Sequence, residues 1–120
     1  LKNWDKLTQS DKYVKWVSDI INDEPVDDEP HSFITLYKIL DVLREDGFIN
    51  MHDKKGEYYH KIDIFSQTVN SYAAAKEGSR HAQSRNIPPS IPMPLDEAKV
   101  LFDRILDDWI DKKIEKMEKE

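Results

Sequence analysis

Apolar residues return at helical spacing in three separate stretches of this chain, and that period constrains most of what it can fold into. Tyr13, Trp16, Val17, Ile20 and Ile21 lie three and four residues apart. They predict a helix opening after Thr8 or Ser10, either of which is a capping residue type. Leu7 and Trp4 either extend the same face or pack beneath it. The helix is expected to close at Asn22-Asp23-Glu24, because Pro25 has no amide hydrogen to continue it. Phe33, Leu36, Tyr37, Leu40 and Leu43 form a second stripe, which Ile34, Ile39 and Val42 widen. A stripe that wide predicts a central, heavily buried helix. Ser32 stands at its start as a cap, and Gly47 stands where a C-terminal glycine cap belongs. The third stripe, Leu95, Ala98, Phe102, Ile105 and Trp109, is broadened by Leu101, Leu106, Ile110, Ile114 and Met117. It predicts a last helix beginning near Asp96, with a solvated tail in which Lys and Glu alternate.

Between the second and third stripes the period changes. Phe48 to Met51 reads as a short strand and His52 to Glu57 as a turn, with Gly56 free to take a positive φ. From Tyr58 to Phe65, Tyr58, His60, Ile62 and Ile64 alternate with Tyr59, Lys61 and Asp63, as a second strand would. A β-hairpin leaning on the helices is expected here. Ser66 to Arg85 reads as a further helix, weakened or ended at Gly78-Ser79, and Ile87 to Pro94 as a proline-stiffened connector. The expected fold is mainly α with one β-hairpin: a winged-helix-like helix-plus-wing core over 1–86, the connector over 87–94 and a long C-terminal helix over 95–120, in one domain.

Composition limits function. With no cysteine there is no disulfide, thiolate zinc site or cysteine nucleophile. No apolar run approaches the roughly 20 residues that span a bilayer, and no charged-then-apolar leader opens the chain. The chain starts at Leu1 rather than Met, which leaves room for an earlier segment or initiator. A cytoplasmic protein is expected. The net charge of -6 argues against indiscriminate polyanion binding. The charge is unevenly spread: residues 1–31 carry -4, residues 32–94 carry +1 and residues 95–120 carry -3. Only the middle of the chain suits a phosphate backbone.

The order helix, glycine cap, strand, charged turn, aromatic strand would present one helix beside a hairpin tipped by Lys54 and Lys55, a geometry in which the helix enters a groove and the tip touches phosphate. The residues Thr35-Leu36-Tyr37-Lys38-Ile39-Leu40, then Leu43 to Ile49, then Tyr58 to Ile62 resemble the recognition helix and wing of PadR-type winged-helix transcriptional regulators. The resemblance covers residues 31–65. It implies that Ser32, Thr35 and Lys38 face double-stranded DNA, that Lys54 and Lys55 contact phosphate, and that the last helix pairs two copies. Lys61, Arg80 and Arg85 would add to the nucleic-acid surface, and Phe102, Ile105 and Trp109 would form the dimer or partner seam. Only the acidic segment 22–31 separates the first and second helices, too little for the extra helix that a winged helix needs.

A second reading stays open: a non-enzymatic adaptor that binds another protein through its C-terminal helix, consistent with the net acidity and the stiff connector. Under it, Phe102, Ile105 and Trp109 either dock a partner or close the chain's own core. Pro89-Ser90-Ile91-Pro92 is a rigid spacer or an SH3-type ligand. Enzyme chemistry has no residues to carry it. There is no glycine-rich phosphate loop and no nucleophile elbow, and His31, His52, His60 and His81 are all the histidines. His52 and His60, with Asp53 or Glu57, are the one conceivable metal group, and solvated turn residues are the expected reading. The same holds for the acidic run Val26 to Pro30, which lacks a calcium-loop pattern. No cofactor, metal or catalytic residue is assigned.

Overall fold

The computed structural model describes residues 4–77 and 92–119, with backbone only over 72–77. Five helices follow one another: α1 (Trp4–Ser10), α2 (Lys12–Asp23), α3 (Ser32–Glu45), α4 (Tyr59–Glu77) and α5 (Leu95–Lys119). Among the described residues there is no strand. The expected β-hairpin, and with it the helix-plus-wing core, is therefore corrected.

Where the second strand was expected, Tyr58 to Phe65, α4 begins. Eight alternating residues also satisfy a helical period when read at 58, 62, 65 and 69, and that period wins. Ile62, Phe65 and Val69 are buried, with Tyr58 packed beside them, whereas His60 and Ile64 of the alternating face are exposed. The Ile62 amide donates to the Tyr58 carbonyl at 2.9 Å, as a helix requires.

The first expected strand folds back onto α3 instead. Gly47 takes φ 84°, open only to glycine at low cost. Its amide donates to the Arg44 carbonyl and that of Phe48 to the Leu43 carbonyl, both at 3.0 Å. These are the paired bonds of a Schellman C-cap. Residues 50–58 then run as linked turns in which the Asn50 and Asp53 side chains accept from His52 and Lys55 amides. Amides so engaged are not available to a cross-strand ladder. Gly56 is not in the left-handed region; a Cβ there would stand 3.1 Å from the Asp53 carbonyl oxygen.

The helix expected after Thr8 or Ser10 is two helices. Asp11 breaks the chain between them and caps α2, its carboxylate accepting from the amides of Tyr13 and Val14 at 2.9 and 3.1 Å. Pro25 follows close behind the end of α2, as expected. At the next junction Ser32 lies inside α3 rather than capping it. Its hydroxyl accepts from the Asp27 amide and donates to the Asp27 carboxylate, each at 2.9 Å.

α3 is central, with α2, α4 and α5 packed around it. Leu36, Ile39, Leu40, Val42 and Leu43 are all buried. α5 supplies the other half of the core with Ala98, Leu101, Phe102, Ile105, Trp109 and Ile110. Phe65 meets Phe102 edge-on at 4.8 Å between ring centroids, and Trp4 meets Trp109 at 6.3 Å. Such contacts add about 0.5–1.5 kcal/mol to the burial itself. The connector's last residues close the far end: Met93 is buried, and its amide donates to Thr68 Oγ1 at 3.0 Å. Residues 87–91 of that connector lie outside the described residues. Truncating the core where two elements meet is expected to cost most. Phe102→Ala should lose about 3–5 kcal/mol of unfolding free energy in a urea titration.

Candidate functional site

The residues expected to face DNA do not converge. Ser32 and Thr35 are buried in the core, so neither reaches a groove. Lys38 is exposed, but Glu24 holds it, both carboxylate oxygens lying 2.8 Å from Nζ. Lys54 and Lys55 stand exposed on the turn beyond the opposite end of α3, and Lys61 is exposed on α4. Arg80 and Arg85 lie outside the described residues. Phe102, Ile105 and Trp109, the expected dimer or partner seam, are each 1% exposed or less and close this chain's own core. His52 sits in the turn, and His60 in α4 meets Tyr59 edge-on at 5.4 Å. The acidic run before α3 does structural work: Asp28 pairs with Lys99 at 2.7 Å, and Asp27 orients both Ser32 and the Glu29 amide.

What fixes α5 against the rest is a polar cluster with no local sequence signal. Lys113 Nζ lies 2.6 Å from Asp11 and 2.9 Å from Asp46, and Trp109 Nε1–H donates to Asp46 at 2.8 Å. The ammonium also stands over the Trp109 ring, 5.3 Å from its centroid. Burial works to raise the Asp11 carboxyl pKa, but the hydrogen bond from Lys113, those from the Val14 and Tyr13 amides and the lysine's charge outweigh it and hold it below the ordinary 3.8. Burial likewise works to lower Lys113, and its bonds to the two carboxylates outweigh it, raising it above 10.5. Tyr58 is raised well above 10.0, first by burial and then by its hydrogen bond to Asp108.

With Lys113 and Trp109 turned inward, the opposite face of α5 is outward. It carries Asp96, Glu97, Asp103, Asp107, Asp111, Glu115 and Glu118, all exposed, with Val100 63% exposed among them. At 100° per residue these positions fall within an arc of about 120° opposite the buried seam. Arg104 is the cation within it. Asp103, Asp107, Asp111 and Glu115 follow one another at i, i+4, and none of the four makes an ion pair with another described residue. Like charges at that spacing destabilise a helix by about 0.2–0.5 kcal/mol per pair. The other large exposed apolar side chains, Trp16, Ile34 and Ile64, stand on three other helices.

This face borders one groove, and a second adjoins it. The first is lined by Lys61, Glu97, Val100, Leu101 and Arg104 with Glu57 and Tyr58. The second, of about 320 Å³, lies between the 47–59 connector and Lys112 of α5 and shares Glu57 and Tyr58 with the first. The sequence held the signal for the acidic face, since the i, i+4 acids are legible once the phase of the last helix is set. The grooves have none, because the residue pattern over 48–65 predicts a hairpin where the chain forms turns and the start of α4.

Compared with known protein families, with curated proteins and with solved structures, the chain matches none. Among the described residues no helix is long and apolar enough to cross a membrane.

The titrations set a pH window. Asp11, depressed in the folded chain, contributes stability that is complete above 3.8 and lost as pH falls through its lowered value. Lys113 and Tyr58, both raised, contribute stability that is complete below 10.5 and 10.0 and lost as pH rises through their folded values. The urea midpoint should therefore be flat in its dependence on these groups between those limits and fall on either side. Lys113→Met should lower stability at neutral pH by about 2 kcal/mol, through two carboxylates left without their cation, and should shrink the acid limb.

Proposed function

We propose that the protein is a non-enzymatic interaction module that docks a basic polypeptide on the outward face of α5. The observation that carries this reading is the row Asp103, Asp107, Asp111 and Glu115, exposed and without an ion pair to any described residue. A helix bearing such a row is intrinsically less stable for it, and a partner's lysines and arginines would relieve the repulsion on contact. Val100 supplies an apolar point within the charge, as interfaces with polar rims require. The face has the sign that repels nucleic acid. Among the described residues, a DNA-binding reading retains the exposed Lys54, Lys55 and Lys61, without the wing or the groove-facing Ser32 and Thr35 that the resemblance implied.

Both readings are tested together by fluorescence anisotropy with labelled oligolysine and labelled duplex DNA at low and moderate salt. Oligolysine should bind in a salt-sensitive manner and duplex DNA should not. Asp103→Asn/Asp107→Asn/Asp111→Asn should weaken oligolysine binding about tenfold, at roughly 0.5 kcal/mol per charge. Asp5→Asn/Asp23→Asn/Glu29→Gln changes the net charge equally at other exposed positions and should leave binding within about twofold. Equal loss in the two variants would reduce the effect to net charge and contradict an α5 site. DNA binding abolished by Lys54→Glu/Lys55→Glu would favour the other reading.

A further inference from the structure

The groove between residues 47–59 and Lys112 of α5 adjoins the groove that borders the acidic face, Glu57 and Tyr58 lining both. We infer that this groove receives an arginine side chain of the basic partner. The inference rests on the basic-partner reading of α5 and adds to it a place where one residue of the partner is recognised by shape. The groove's walls are aromatic, formed by Phe48, Tyr58 and Tyr59, and Asp53 and Glu57 lie along it.

The groove already uses cation–ring chemistry internally. Lys112 Nζ stands over the Phe48 ring, 5.9 Å from its centroid. Tyr58, packed on the core at one side, and Tyr59, met edge-on by His60, present their remaining ring surface to the same groove. The carboxylates are open as well. Asp53 accepts one backbone amide, from Lys55, and Glu57 makes no hydrogen bond or ion pair with another described residue. One wall is held in place, because the Tyr58 hydroxyl donates to Asp108 of α5. A wall already fixed loses little freedom when a ligand stacks on it.

Among cations the guanidinium fits best. It is planar, so it stacks on a ring face, and its fork of donors matches a carboxylate with two bonds; an ammonium is a compact, strongly hydrated point charge that gains less from a flat wall. An anion would be repelled by Asp53 and Glu57, and an aliphatic side chain would leave both carboxylates facing apolar surface.

The test uses the intact protein, ¹⁵N-labelled, titrated with Nα-acetyl-arginine amide and, separately, with Nα-acetyl-lysine amide. The arginine compound should shift the Glu57, Tyr58 and Tyr59 amides saturably, and the lysine compound should bind several-fold more weakly. Glu57→Gln should weaken the arginine titration about fivefold, with an otherwise unchanged spectrum showing that the fold is kept. Asp103→Asn/Asp107→Asn/Asp111→Asn should leave this titration unchanged while weakening oligolysine binding, which separates the groove from the face. Equal affinity for the two compounds, shifts confined to other residues, or indifference to Glu57→Gln would each overturn the inference. If oligolysine and oligoarginine both bind and these amides stay still, the basic-partner reading stands and the groove falls. If neither peptide binds the wild-type protein, the reading and the inference fall together.

Discussion

Lys113 extends from the last third of α5 into the point where the end of α1, the start of α2 and the end of α3 converge, and there one ammonium serves two carboxylates. Asp11 is at once the cap that separates α1 from α2 and a partner of Lys113; Asp46 lies just past α3 and also accepts the Trp109 indole. An exposed ion pair of this kind would contribute little. This one is half-buried, is joined by hydrogen bonds to backbone and indole, and fixes a geometric quantity, the rotation of α5 about its own axis. With Trp109 and Lys113 on the inner side, Phe102 and Ile105 follow them into the core at helical spacing. The carboxylates at 103, 107, 111 and 115 are then outward without choice.

That rotation links folding to function in the proposed account. A long helix in a small domain ordinarily offers its polar face to water as a mixture of signs. Here the outer face is nearly all of one sign, while several cations of the same helix are engaged elsewhere: Lys99 by Asp28, Lys113 by Asp11 and Asp46, and Lys112 over the Phe48 ring. The segregation leaves the face with a net negative charge, opposed within it by Arg104 alone among the described residues, that long-range attraction can use to gather a basic partner. Specific recognition then has to come from shape, and the aromatic groove beside Tyr58 is where the surface offers it.

The sequence made the helices legible where apolar residues persist over several turns, as in α3 and α5, and it made Gly47 legible because only a C-cap explains glycine there. It misled over 58–65, where a run too short to separate period 2 from period 3.6 met β-favouring Tyr and Ile. The burial of Ile62, Phe65 and Val69 on one helical face decided the matter, and that burial depends on Phe102, 37 residues beyond Phe65. Ser32 and Thr35 look solvent-facing by residue type, yet the central helix buries both, and at Ser32 the loop carboxylate of Asp27 satisfies the hydroxyl. Neither Asp11–Lys113 nor Trp109–Asp46 could be read from local pattern, since each joins residues far apart in the chain. The acidic face was legible in composition as the negative balance after residue 94; its confinement to one side needed the helix phase.

The chain's lack of cysteine permits a direct measurement of that phase. Single cysteines placed by Asp107→Cys and Ile105→Cys lie two residues apart in α5, one outward and one in the core. Labelling of each by a thiol reagent under native conditions reports which side is open. The account predicts that Cys at 107 reacts at the rate of an unstructured thiol, and that Cys at 105 reacts slower by roughly a thousandfold or more, as opening of the core requires. Comparable rates at the two positions would contradict an inward seam and an outward acidic face, and with them the proposed site.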